Sequence, residues 1–398
     1  MNTMTTQAPT EPLEMYAEWE DRGISPFFPV VEANRGNSVD ISNIGTMLMF
    51  GSCDYLGLSQ HDRLKRASID AIAAFGTNTY GAQLLCGKTS LHNELQEHLQ
   101  SLGPFEAALI FPSGMAANQA VVSSLAGPDS VIISDRTAHI SLYMGSWLSK
   151  AELRTFPHNN VAKLEAILKK TQDKASRVIL VDGLYSADGD VAPLPEIVKL
   201  AKTYDAITVV DEAHSFGTMG PDGLGVADEF GVLGDVDVIV GTMSKAIGSV
   251  GGFVLCSSEQ QRRMRYLSPS FTSSRSVAPA VAAASLESLR ILAEDGPRLR
   301  SDLARNTARV TQGLRSLGLD LIETTSHIVP IRLGNEQQTV EVSRWLMDEG
   351  VFTGTFVYPH VPLGEGRLRV GVTSAHSDDE IDLFLATMAR ATARFALN

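Results

Sequence analysis

At 398 residues the chain is too long for one small hydrophobic core, and two domains are expected. Its 44% hydrophobic and 20% charged residues are those of an ordinary globular protein. A net charge of −13, with no local run of lysine or arginine to offset it, argues against nucleic acid and anionic membrane surfaces as partners.

The N-terminus has no charged segment followed by an apolar one, and no apolar run reaches about 18 residues. No signal peptide or integral membrane segment is therefore expected, and the cytoplasm is the expected location. Cys53, Cys86 and Cys256 are scattered and odd in number, so neither a disulfide framework nor a metal site is indicated.

Residues 1–13 are polar and rich in Pro and Thr, and are expected to lack fixed structure. An arm of unassigned structure follows to about residue 50 and ends in the turn-rich FGSCDYLGLS (50–59). A regular alternation then begins. Strands are expected at EAALIF (106–111), SVIIS (130–134), RVILVDG (177–183), AITVVDEA (206–213), VDVIVGT (236–242) and GGFVLCS (251–257). Helical spacing appears between them, as in VAKLEAILKKTQ (161–172) and LPEIVKLAKTYD (194–205). Short apolar strands alternating with helices predict an α/β fold whose mainly parallel sheet is covered by helices. EDGPR (294–298) reads as a boundary, followed by strands at HIVPIRLG, VFTGTFVYP and RLRVGVT and a last helix opened by the capping box SDDE (377–380). The expected division is an N-terminal arm (1–58), a large domain (59–293) and a small α/β C-terminal domain (294–398).

In open parallel sheets, ligands bind beyond the carboxyl ends of the strands. Four predicted strand ends carry polar chemistry. FPSGMAANQA (111–120) passes from strand to helix through Ser113 and Gly114, leaving free N–H groups that suit a phosphate. Asp211 closes ITVVD, and a buried carboxylate needs a positive partner. Ser186 follows VILVDG. Lys245 follows VDVIVGT within GTMSKAIGS, among hydroxyls and glycines and with no acid beside it in the chain. A phosphate seat supported by Thr242 and Ser244, a buried carboxylate and a reactive amine match the three handles of pyridoxal 5′-phosphate.

From about residue 25 onward the chain resembles the α-oxoamine synthase family of fold-type I pyridoxal-phosphate enzymes. The similarity is carried by DYLGLS (54–59), FPSGMAAN (111–118), DRTAHISLYMG (135–145), FPHNN (156–160) and VDGLYSADGDVAPL (181–194). It continues through VVDEAHSFGTMGPDGLG (209–225), VGTMSKAIGSVGGFV (240–254), FTSS (271–274) and RLRVGVTSAHSDDEID (367–382). Within the family, VDEAHSFG and GTMSKAIGSVGGFV look most like the serine palmitoyltransferases. HNN and VDGLYS are similar to the acyl-aminoketone autoinducer synthases.

The resemblance implies roles. Lys245 forms the Schiff base and moves the Cα proton, Asp211 faces the ring nitrogen, His139 stacks on the ring, and His214 and Ser186 lie near its 3′-oxygen. Gly114 and Met115, next to Ser113, join Thr242 and Ser244 on the phosphate, and Thr272 or Ser273 reaches in from a second subunit of a homodimer. Arg369 grips the substrate carboxylate. Taken singly, Lys245 would read as a surface lysine and Asp211 as a helix cap. His92, His98, His158, His327, His360 and His376 are read as structural.

Two departures fall in regions expected to meet substrate. Gln83 stands where the family has arginine, and Cys53-Asp54 stands where it has a pair of asparagines. Asp54 near an incoming carboxylate would repel it unless turned away or protonated. Ala187 replaces a common methionine. The implied reaction joins a small α-amino acid (serine, alanine or glycine) to an acyl thioester of coenzyme A or a carrier protein, with loss of carbon dioxide. The product is an α-aminoketone. The alternatives are cleavage of a 2-amino-3-keto acid with free coenzyme A, simple transamination, and a catalytically silent partner subunit, which would be expected to lack Lys245.

Overall fold

The apolar runs fold as strands, and the computed structural model describes residues 12–397. The unstructured stretch expected at 1–13 falls outside the described residues up to 11, while Pro12 and Leu13 open the helix Pro12–Asp21. The strands are β1 (Val31–Asn34), β2 (Ser38–Ile41), β3 (Gly45–Phe50), β4 (Ala107–Phe111), β5 (Ser130–Asp135), β6 (Glu152–Phe156) and β7 (Ser176–Asp182). They continue as β8 (Ile207–Asp211), β9 (Val238–Thr242), β10 (Gly252–Cys256), β11 (Ile328–Gly334), β12 (Val351–Phe356) and β13 (Gly366–Gly371).

Two compact units result. One comprises Cys53–Ser186 and Asp190–Ala304; the other takes the chain through Ser52, Ala187–Gly189 and the residues from Arg305 on. The larger unit holds a seven-stranded sheet in the order β4-β10-β9-β8-β7-β5-β6. Neighbouring pairs from β9 to β6 are parallel, and β10 runs antiparallel to both β9 and β4. β4 therefore points the same way as β9, and the carboxyl ends of β4, β5, β7, β8 and β9 share one edge. β4, β5, β9 and β10 are buried at every position, as strands covered on both faces must be. Val121, Val122 and Leu142 from the covering helices pack with Phe111, Val178, Val209 and Val240 of the sheet.

β6 was not expected from the sequence. It is the edge strand, half exposed, and its ELRTF alternates charge with apolar residues too briefly to register.

The other unit holds a six-stranded sheet in the order β1-β2-β3-β12-β13-β11. β3 and β12 pair in parallel and the remaining pairs are antiparallel. Of the N-terminal arm expected at 1–58, β1–β3 form part of this sheet, and Cys53 onward belongs to the larger unit. The boundary at 294 also shifts, because the helix Pro279–Ser316 runs unbroken through 294–298 with Pro297 inside it. A proline interrupts a helix by withholding one N–H and crowding one carbonyl; a long helix anchored on both sides absorbs that loss. The capping box before Asp378–Phe395 forms as expected, with Ser377 and Glu380 exchanging hydrogen bonds.

Candidate active site

β4 ends at Phe111 and turns through Ser113 into the helix Gly114–Leu125. Ser113 Oγ accepts the Ala116 N–H at 3.1 Å. The Gly114 and Met115 N–H groups, in the first turn, have no acceptor further back in the helix. Gly252 on β10 lets this helix end press close, since a Cβ there would lie 2.4 Å from the Ser113 carbonyl oxygen.

β9 ends at Thr242. Its hydroxyl donates to the Gly251 carbonyl at 2.8 Å, so the 2.7 Å contact with Ser244 is a bond donated by Ser244. Lys245 follows immediately.

β8 ends in buried Asp211. One carboxylate oxygen accepts the Ala213 N–H at 2.9 Å and the other accepts Asn118 Nδ2 at 2.6 Å. Asp182 closes β7 directly opposite Asp211 in the strand register and accepts the His139 N–H at 3.1 Å. Burial, reinforced by the like charge of Asp211, pushes Asp182 well above the usual carboxylate range. Along the chain no acid neighbours Lys245, yet the fold brings two carboxylates into its cavity.

His139 caps the helix Ile140–Ser149: its Nδ1 accepts from the Ser141 N–H at 3.4 Å and lies 2.6 Å from Ser141 Oγ. Desolvation of the ring lowers its pKa, with Asp211 opposing that shift and Lys245 adding to it. His214 is buried, its Nδ1 2.7 Å from the Tyr55 hydroxyl.

Ser113, Gly114 and Met115, then His139, Asp211 and His214, then Thr242, Ser244 and Lys245, line one cavity of about 220 Å³. Asn118, Ser141, Asp182 and Leu184 line it too and were missed from sequence. Two signals were available. Asn118 sits one helical turn beyond Gly114 on the same face, and VILVD ends in the same acid as ITVVD at adjacent parallel strand ends.

Other expected residues lie elsewhere. Ser186 does not line the cavity; Leu184, two residues earlier, does. Thr272 donates to the Ser268 carbonyl at 3.1 Å, and within one chain neither it nor Ser273 lines the cavity. Arg369 lies on β13 in the other unit, its guanidinium 4.7 Å from the Phe356 ring centre. Asp54 closes its own turn, accepting the Leu58 and Ser59 N–H groups at 3.0 Å each. Burial raises its pKa and those hydrogen bonds offset part of the rise. Gln83 donates to the Ile110 carbonyl on β4 at 2.8 Å.

Pyridoxal phosphate fits this donor set. The helix end and the Thr242–Ser244 hydroxyls suit a phosphate, buried Asp211 suits a protonated ring nitrogen, and Lys245 suits the aldehyde.

Residues 45–388 match the aminotransferase class I and II family. The chain is 38% identical to 8-amino-7-oxononanoate synthase 1 of Bacillus velezensis over 367 residues, covering 92% of this chain and 93% of that protein. Serine palmitoyltransferase of Sphingomonas wittichii superimposes with a TM-score of 0.93 at 32% identity, covering 97% of this chain and 98% of that one. A serine palmitoyltransferase solved with its pyridoxal-phosphate internal aldimine also gives 0.93, at 30% identity and with the same coverage.

The chain belongs to the α-oxoamine synthase family. This α-oxoamine synthase is a pyridoxal-phosphate-dependent acyltransferase with the fold-type I architecture, and its reaction type is decarboxylative condensation to an α-aminoketone. The motifs lean toward serine palmitoyltransferase, and the superposition agrees. Sequence identity is higher to the 8-amino-7-oxononanoate synthase than to either serine palmitoyltransferase. No helix among the described residues is long and apolar enough to cross a membrane.

Proposed function

We propose that this α-oxoamine synthase condenses alanine with a thioester of a seven-carbon acyl group that ends in a carboxylate. The substrate chemistry follows from the product named for its relatives. 8-Amino-7-oxononanoate carries its amine on the carbon next to the ketone. Breaking the bond between those carbons and restoring the lost carboxyl leaves alanine and that acyl group. The observation that carries the catalytic reading is the convergence of Lys245, Asp211 and the Gly114 helix end on one cavity.

When bound, pyridoxal phosphate supplies an electron sink for negative charge at the amino acid Cα. Lys245 holds the cofactor and then, released, takes and returns the Cα proton. Asp211 keeps a proton on the ring nitrogen. His139 would cover the ring face and His214 would donate to the 3′-oxygen, whereas Ser186, outside the cavity lining, takes no part there. Gly114, Met115, Thr242 and Ser244 hold the phosphate beside Ser113, joined by Thr272 or Ser273 of a second copy in a homodimer. Arg369 receives the amino acid carboxylate. Three free cysteines accord with a reducing cytoplasm.

Thiol release should be strongest with alanine and the carboxylated donor. A preference for serine with a long unsubstituted acyl donor would move the assignment to the serine palmitoyltransferase reading, which the 0.93 superposition favours. No release with any donor, together with cleavage of a 2-amino-3-keto acid, would defeat both. An active monomer in sedimentation would remove the shared site.

A further inference from the structure

The helices Gly114–Leu125 and Ile140–Ser149 cross at Gly145, where a Cβ would lie 2.8 Å from Val122 Cβ and 3.2 Å from the Asn118 carbonyl oxygen. That close approach sets Asn118, 1% exposed, against fully buried Ser141. Asn118 Nδ2 has two hydrogens and two acceptors, Ser141 Oγ at 2.8 Å and Asp211 Oδ2 at 2.6 Å. Turning the amide over would set its oxygen against a carboxylate oxygen, so the orientation is fixed. Its Oδ1 is buried without a hydrogen-bond partner among the described residues. A buried polar atom left unsatisfied is unfavourable and marks a side chain held for position.

Ser141 Oγ accepts from Asn118, so its own proton goes to His139 Nδ1 at 2.6 Å, an atom that also faces the Ser141 N–H. A ring nitrogen that accepts in this way places the ring proton on Nε2. The charged groups around His139 are Asp211 from β8, Asp182 from β7 and Lys245 after β9.

We propose that Asn118 is a positioning residue whose amide both fixes the Asp211 carboxylate and, through the Ser141 hydroxyl, holds His139 as the neutral Nε2–H tautomer. A neutral imidazole can cover a cationic ring without like-charge repulsion. This rests on the placement of Asp211 and His139 against the cofactor proposed above, but the hydrogen-bond chain itself belongs to the protein alone.

The test is nitrogen-15 NMR of histidine-labelled full-length protein before and after cofactor addition, with His139→Gln assigning the signal. The wild-type chain should show His139 as the Nε2–H tautomer in both states. Asn118→Ala and Ser141→Ala should each give mixed tautomers and move the acid limb of the kcat profile up by about one pH unit. They should also lower kcat by about tenfold, as loss of an outer-shell partner does. Ser141→Thr, which keeps the hydroxyl, should retain the wild-type tautomer, and the double variant should lose no more than the worse single one. An unchanged tautomer in both alanine variants, or additive losses in the double variant, would overturn the proposal. A correct tautomer in protein that binds no pyridoxal phosphate would instead defeat the functional reading and leave the chain of bonds standing.

Discussion

The two sheets of this α-oxoamine synthase acquire their chemistry in opposite ways. The seven-stranded sheet is written locally: apart from the edge strand β6, each strand is a short, mostly apolar run, and each functional group sits within a few residues of the strand end that positions it. The six-stranded sheet joins β1–β3 to strands some 300 residues later, with Val351 of β12 opposite Leu48 of β3. Its strands are short and partly exposed, and Arg369 is embedded in a run whose partners no local pattern announces. The cofactor site is thus legible along the chain, whereas the strand pairing that holds Arg369, the proposed amino acid clamp, is not.

The strongest break of this comparison is Lys245→Ala. It should lower turnover by at least about a thousandfold and abolish the yellow absorbance of the lysine-bound cofactor, while the fold persists. Turnover that survives would take the lysine out of the mechanism.

Asp211→Asn comes next. It preserves shape but removes the charge and can keep only one of the two accepted hydrogen bonds, from Asn118 or from Ala213, and kcat should fall by roughly a hundredfold, about 3 kcal/mol of barrier. The lost hydrogen bond costs stability and removal of the like charge beside Asp182 offsets part of it, so the melting temperature should change little and the Asp182 pKa should drop. A parallel loss of activity and melting temperature would assign Asp211 a structural role instead.

Arg369→Lys sharpens the contrast from the other sheet. Losing the planar fork should raise the amino acid KM by about tenfold and leave the cofactor absorbance unchanged. Loss of the absorbance would place this arginine with the cofactor.

These differences follow what the sequence exposed and what it hid. FPSGMAAN, VVDEAH and GTMSKAIGS set Gly114, Asp211, His214 and Lys245 at strand ends, and the cavity gathers them. Asn118, Ser141 and Asp182 were passed over because each acts on a neighbour distant in sequence, across a helix crossing or a strand pair. β6 and β1 were passed over because edge strands tolerate polar residues, and β2 and β3 because each is short and mixes polar with apolar positions. His158 was read as merely structural, and the fold clamps it between two acids: its Nδ1 is 3.1 Å from Asp135 and its Nε2 is 2.8 Å from Asp190.

That clamp gives an effect on stability and none on the chemistry of the cavity. Burial alone would lower the His158 pKa, but hydrogen bonds to Asp135 and Asp190 outweigh it and raise the value to about 10. A raised folded-state pKa stabilises fully below the unfolded value near 6.5 and fades as pH climbs through about 10. His158→Gln should therefore lose roughly 3 kcal/mol of unfolding free energy at pH 6, after allowance for partial exposure, and much less near pH 10. A deficit that is constant across this range would rule out the charged clamp.

The central claim is that Lys245 carries the cofactor opposite Asp211. Borohydride reduction of the yellow holoprotein followed by peptide mapping tests it most directly. The pyridoxyl adduct should appear on the peptide containing Lys245 and on no other; an adduct on a different lysine, or none at all, would contradict the account.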